Sequence, residues 1–138
     1  KSFAQKFDLN KATASQLQKV YGIGAFYSEQ IIRFRDAFEG GFISDLQLQD
    51  IKGLKPEVIE NILKEFTVQT PRKVAKISLN SATVDQLVTI QHIDYELAYE
   101  IIEFRMLMDG YKDIEELTKV KEFPKEKIEI IKLYLSLN

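Results

Sequence analysis

The chain has 138 residues, a formal net charge of -2, a sequence pI near 5.5 and no cysteine, which excludes a disulfide framework and a thiolate metal site. With 45% hydrophobic and 29% charged residues it lies far from the composition of disordered chains. No run approaches the roughly 18 apolar residues that span a bilayer, and a charge this near neutral leaves room for only a local basic patch.

The first helix start is Thr13-Ala-Ser-Gln16, a capping box in which the threonine hydroxyl accepts an orphan amide and the glutamine reaches back. Leu17 and Val20 lead into Gly22-Ile23-Gly24, where glycine permits φ > 0 and close approach to the backbone. A long second helix follows, with Ile31, Ile32, Phe34 and Phe38 on its core face and Gly40 as its stop. Ser44-Asp-Leu-Gln47 is a second capping box, and Lys52-Gly53-Leu54-Lys55 is a second glycine turn. Pro56 takes a favoured first helical position, in a helix predicted to bury Val58, Ile59, Ile62, Leu63 and Phe66. Residues 67–77 contain Pro71 and no helical period, so they read as a linker with Val68 or residues 74–77 briefly extended.

The same order of signals then returns. "DLNKATASQLQKVYGIG" (8–24) aligns with "SLNSATVDQLVTIQHID" (78–94), and "EQIIRFRDAFEG" (29–40) with "YEIIEFRMLMDG" (99–110), at a constant spacing of 70 that becomes 69 once a residue is dropped at Gly40-Gly41. Thr83-Val-Asp-Gln86 and Asp113-Ile-Glu-Glu116 repeat the caps, Ile101, Ile102, Phe104 and Met108 repeat the core face, and Gly110 repeats the stop. A last helix near Pro124 uses Ile128, Ile131, Leu133 and Leu135. The expected fold is all-α, with four to five short helices in each of two tandem copies, residues 1–67 and 77–138, joined by a basic linker at 68–76.

The series Leu17, Val20, Gly22, Ile23, Gly24, Ser28, Ile31 and Ile32 resembles the helix-hairpin-helix motif, in which a Gly-hydrophobic-Gly turn joins two helices and a small residue lets them cross closely. Leu48, Ile51 and Lys52-Gly53-Leu54-Lys55 resemble a second hairpin of the same type, and the opening "LNKATASQL" is similar to the ComEA-like family of competence DNA receptors. The resemblance covers nearly the whole chain as two paired helix-hairpin-helix domains. It implies non-sequence-specific binding of duplex DNA in DNA uptake, at a periplasmic or membrane-anchored site outside the cytoplasm. The chain begins at Lys1 rather than methionine, so a lost upstream anchor or export signal is expected. Physical chemistry agrees with the ligand, because hairpin amides beside a helix N-terminus suit a phosphate oxygen. The expected DNA-binding groups are the amides of Gly22, Ile23 and Gly24 and those around Gly53 and Leu54, with Lys19, Lys52 and Lys55 supplying charge. A monovalent cation on the Gly22–Gly24 hairpin is compatible with the resemblance, and no other cofactor or metal is implied. The bland reading of the same residues is that the glycines serve turn geometry alone.

Copy two departs from the motif. His92 and Asp94 replace Gly22 and Gly24, and Glu122 replaces Gly53, so carboxylates stand where a phosphate is expected. Residues 1–67 hold nine basic and nine acidic side chains, 68–76 add Arg72, Lys73 and Lys76, and 77–138 hold seven basic against twelve acidic. Weak, salt-sensitive DNA binding is therefore expected from copy one and the linker. The competing reading is a protein-interaction module that has lost DNA binding, using Tyr21, Phe26 and Tyr27, or Tyr95, Tyr99 and the acidic second copy, as its surface. Tyr27 also keeps helical step with Ile31 and Phe34, as a core residue does. Arg35 and Arg105 end equivalent "FR" pairs and are expected to pack their stems and pair with carboxylates. His92 is the sole histidine, without the companions of a metal site, and no nucleophile, phosphate-loop or dinucleotide motif is present. No enzymatic activity is expected.

Overall fold

The computed structural model describes residues 1–38 and 40–138, and the chain divides into two compact units, Lys1–Lys73 and Val74–Asn138. In unit 1 a 3-10 turn at Phe3–Gln5 leads into a short strand, β1 (Phe7–Asp8), and a second 3-10 turn at Leu9–Lys11. Helix α1 (Ala14–Leu17) starts on Thr13, whose hydroxyl accepts from the Gln16 amide at 3.2 Å while the Gln16 side chain accepts from the Thr13 amide at 3.0 Å. That reciprocal pair satisfies two donors a four-residue helix otherwise leaves open. A hairpin then feeds α2 (Ala25–Asp36), a 3-10 helix at Asp45–Asp50, α3 (Pro56–Glu65) and the strand β2 (Phe66–Thr67).

Unit 2 repeats this order with β3 (Ile77–Ser78), α4 (Val84–Leu87), α5 (Tyr95–Leu107), 3-10 turns at Ile114–Lys119 and Lys125–Lys127, α6 (Ile128–Lys132) and β4 (Leu135–Ser136). The fold is all-α in two tandem copies, as the periodicity implies. Three details differ from the sequence expectation. The Ser44 and Asp113 capping boxes open 3-10 helices rather than α-helices. Pro124 caps a 3-10 turn, and α6 starts only at Ile128. Phe66 and Leu135, placed in helices by their spacing, lie in strands instead.

Those strands close each unit. β1 pairs with β2 in parallel, Phe7 opposite Phe66 and Asp8 opposite Thr67, and β3 pairs with β4 in the same sense. Two-residue strands carry no alternation to detect, and their partners are more than fifty residues away.

Each core lies between α2 or α5 and the elements around it. Leu9, Leu17, Ile31, Phe42, Leu48 and Ile62 are buried in unit 1, and Leu79, Leu87, Ile101, Tyr111, Leu117 and Ile131 in unit 2. Stacked ring pairs recur, Phe34 with Phe42 at 5.9 Å and Phe104 with Tyr111 at 5.4 Å. The repeated polar letters also acquire a reason. Nη1 of Arg35 donates to the carbonyls of Leu9 (3.0 Å) and Ala12 (2.8 Å), and Nη1 of Arg105 to those of Leu79 (3.0 Å) and Ala82 (2.9 Å). The carboxylate expected for Arg35 is present as Asp36 at 3.1 Å, but both arginines spend their forks on buried turn carbonyls, which need a partner more than an exposed carboxylate does. Asn10 and Asn80 each clamp one backbone residue from both sides: the Asn10 amide takes the N–H of Phe42 (2.7 Å) and gives to its carbonyl (3.0 Å), and Asn80 does the same for Tyr111 at 2.7 and 2.9 Å.

Among its described residues unit 1 carries one buried carboxylate. Asp8 accepts from the amides of Asn10 and Gln69, each at 3.0 Å, and from the Thr70 hydroxyl at 2.5 Å. Burial opposes its ionisation, but those donors together outweigh burial and hold the carboxyl below its ordinary value of 3.8. Through Gln69, Thr70 and Arg72 the segment read as linker packs on unit 1, Arg72 donating its N–H to the Phe42 carbonyl (2.9 Å) and its Nε to that of Gly41 (3.1 Å).

Candidate nucleic-acid interface

The structure brings the two hairpins of unit 1 together. A cleft of about 460 Å³ is lined by Gly22 from the first, Gly53, Leu54 and Lys55 from the second, and Tyr27 and Val58 between them. Gly22 and Gly53 each pack on the helix that follows the other hairpin. Gly22 has φ of 95°, and a Cβ there would meet a Val58 methyl at 3.0 Å; Gly53 has φ of 85°, and a Cβ there would meet the Tyr27 hydroxyl at 2.8 Å. Both are favoured by conformation and by packing, whatever the ligand. Tyr27 is thus a joint residue, as its helical step suggests, rather than a surface anchor.

Gly24 is different. Its φ is -101° and ψ -165°, a conformation open to any residue, and a Cβ there would meet nothing within 4 Å. It is the N-cap of α2 and supplies no side chain to the helix's first amides, which have no partner further back along the helix. The glycine therefore leaves open space in front of unfilled donors at the positive end of a twelve-residue helix.

The donor set differs in part from the one expected from the motif. The N–H groups of Ile23 and Leu54 donate to the carbonyls of Val20 (3.0 Å) and Ile51 (3.1 Å), and both side chains are buried. These two residues hold the turns. The first helical bond of α2 runs from the Ser28 N–H to the Gly24 carbonyl, so the donors without a helical partner are the amides of Gly24, Ala25, Phe26 and Tyr27, the last three missed in the sequence because a helix's first amides carry no letter of their own. Close crossing of α1 and α2 sets their position: Ser28 is buried, donates to the Ala25 carbonyl at 3.0 Å and accepts from the Gln18 amide at 3.0 Å. The small Ala98 fills that place in unit 2.

The lysines do not all gather here. Lys55 lines the cleft between hairpins and Lys52 is exposed on the same turn. Lys19 instead lines a separate cleft with Phe7, Val20, Glu65 and Phe66. Tyr21 is 88% and Phe26 63% exposed, so two aromatic rings stand beside the open helix end.

Unit 2 has the same skeleton with the donor end closed. Asp94 caps α5 by accepting from the Leu97 amide at 2.8 Å, which puts a carboxylate where Gly24 leaves space. His92 and Glu122 hold the turn positions with φ of 72° and 64°, at a cost of about 1 kcal/mol or more for a residue with a Cβ. The cleft beside them is lined by Asp94, Glu96, Glu100 and Glu122 together with Lys121. An anion is repelled from such a surface. Among the described residues no group of acidic and histidine side chains has the arrangement of a metal site, and no helix is long and apolar enough to cross a membrane.

Comparison with known proteins agrees with this geometry. The family described as helix-hairpin-helix motif matches residues 2–67 and again residues 72–136, so the chain belongs to that family in both halves. Among curated proteins it is similar to endonuclease/exonuclease/phosphatase family domain-containing protein 1 of Danio rerio, 26% identical over 133 residues, and of Xenopus laevis, 25% identical over 138. Each alignment covers 84% of this chain and 24% of the relative, so the chain spans about a quarter of the length of the curated proteins it matches. No solved structure matches it. The motif itself points to nucleic-acid binding.

Proposed function

We propose, from a chain that is a helix-hairpin-helix protein twice over, that unit 1 binds duplex DNA through its phosphates and without reading sequence. The observation that carries this reading is Gly24: the one hairpin glycine of unit 1 that neither backbone angle nor packing demands stands in front of the unfilled amides of α2. A phosphate oxygen accepts from those amides, in line with the helix dipole. Lys52 and Lys55, exposed on the second hairpin, add charge; contacts of this kind position a duplex and carry no base information. Unit 2, with the Asp94 carboxylate at the equivalent helix end and on the Leu97 amide there, contributes structure or a protein contact and no phosphate site.

Binding is weak under this proposal, in the range of about 10⁻⁴ to 10⁻⁶ M near physiological salt that non-specific contacts give. One setting, in keeping with the ComEA-like resemblance, is DNA outside the cell, captured by a protein with an upstream anchor. The name of the curated relatives suggests another setting for the same ligand, in which a helix-hairpin-helix pair holds nucleic acid for an endonuclease/exonuclease/phosphatase domain. In both settings this chain holds DNA and does no chemistry. The test is fluorescence anisotropy with a labelled random-sequence duplex, titrated at 20 mM and at physiological salt. Affinity that falls steeply with salt and is equal for unrelated sequences supports phosphate contact. No binding at the lower salt overturns the proposal and moves the function to a protein contact at Tyr21 and Phe26.

A further inference from the structure

Two aromatic rings of unit 1 stand in solvent, outside its buried core. Tyr21 lies on the turn before Gly24, and Phe26 in the first turn of α2. Both are set on fixed neighbours: Asn61 donates its side-chain amide to the Tyr21 carbonyl at 3.4 Å, and the Phe26 ring meets that of Tyr27 edge to face at 5.1 Å. Tyr21 also lines the cleft that holds Lys55. The rings therefore belong to the same corner of the unit as the open amides of α2. Unit 2 replaces both. At the spacing of 70, Gln91 stands for Tyr21 and Glu96 for Phe26, in the copy whose donor end is closed by Asp94. Open amides and neighbouring rings are present together in one unit and absent together from the other. The exposed tyrosines of unit 2, Tyr95 and Tyr99, lie at the places of Ala25 and Glu29 and next to Glu96 and Glu100, where carboxylates repel a nucleic-acid strand.

Resting on the phosphate site proposed above, we propose that unit 1 prefers DNA with unpaired bases, a single strand or the junction of a strand with a duplex, to continuous duplex. A phosphate oxygen sits on the first amides of α2, and unpaired bases next to that phosphate stack on Tyr21 and Phe26. Inside a duplex each base face is covered by its neighbours, so the rings find a partner only at an end, a junction or a free strand. Stacking is also the attraction that suits this surface. Residues 1–67 hold nine basic and nine acidic side chains, an even balance that limits what phosphate neutralisation alone supplies. A base lies on an aromatic ring without need of charge, and every base has such a face. The preference is therefore for unpaired structure, and sequence remains unread.

The experiment titrates the full chain at low salt into four fluorescent probes and reads anisotropy. They are an unstructured single strand, the same strand annealed to its full complement, the strand annealed to a shorter complement that leaves an unpaired tail, and an abasic strand of the same length. The single strand and the tailed duplex are expected to bind about tenfold more tightly than the blunt duplex, and the abasic strand, which keeps its phosphates, to lose that advantage. In a variant carrying Tyr21→Ser and Phe26→Ser the ratio of single-strand to duplex affinity is expected to fall towards one. Its melting temperature is expected to stay within a few degrees of wild type, because both rings lie outside the core. Equal affinity for single strand and blunt duplex overturns the preference and leaves the phosphate site standing, whereas no binding of any probe overturns both. An abasic strand bound as tightly as the normal one, or a ratio unmoved in the double variant, also overturns the proposal, since the preference then comes from strand flexibility and not from stacking.

Discussion

Gly22, Gly24 and Gly53 share one letter and serve two purposes. Gly22 and Gly53 are held at positive φ against Val58 and Tyr27, so exchanging either strains the fold and tests stability rather than binding. Gly24 lies in ordinary backbone with open space beside it, and unit 2 already shows an aspartate in its place as a working cap. Gly24→Asp is therefore expected to leave the circular dichroism spectrum and melting temperature within a few degrees of wild type. Its DNA affinity is expected to fall by about tenfold or more, since the new carboxylate takes the amides and repels phosphate; an unchanged anisotropy titration rejects the site. The Gly-x-Gly pattern is plain in the sequence. Which glycine is structural is not, because the deciding neighbour of Gly22 lies 36 residues further along. Asp8 is the other residue with a separable role. Its carboxyl is held below the ordinary carboxylate value, so the ionised form stabilises unit 1 fully above about pH 4, and that contribution is lost as pH falls through the lowered value. Asp8→Asn is expected to cost about 1 to 3 kcal/mol at neutral pH and to flatten the acid limb of a urea-denaturation series. An acid limb as steep as the wild type's would assign the effect to other carboxylates.

At the scale of elements, the helices of this chain are too short to stand alone, and their ends are tied by side chains that reach far along the sequence. Arg35 and Arg105 each hold two carbonyls of the turn before α1 or α4, and Asn10 and Asn80 each hold one residue beyond the stop of the long helix. Arg35→Ala leaves the Leu9 and Ala12 carbonyls without their donor and is expected to destabilise unit 1 by about 2 to 3 kcal/mol, read by chemical denaturation, with DNA affinity intact where the unit remains folded. A loss below about 0.5 kcal/mol would mean that water replaces the guanidinium. The repeat shows in the sequence that these letters recur, and their capping boxes are legible because donor and acceptor sit three residues apart. The arginine's true partners were not legible, because a backbone carbonyl has no letter and the nearer one lies 23 residues back.

For the molecule as a whole, duplication has produced two units with one skeleton and opposite electrostatics. Helical period, caps and repeat spacing made the all-α tandem fold readable. What escaped was long-range and short in extent: the two strand pairs, and the packing of residues 69–72 on unit 1. Those strand pairs have a mechanical consequence. Each joins the start of a unit to its end, and both pairs run parallel, with the Tyr134 carbonyl on the Ile77 amide and the Ser136 carbonyl on the Leu79 amide in unit 2. A tension applied along the chain pulls such strands past one another lengthwise, so the bonds between them share the load and yield together instead of parting one at a time as in a hairpin pulled from its open end. Where this chain is strung between a bound duplex and whatever holds it, each unit behaves as a closed link whose ends resist stretching before its core is exposed.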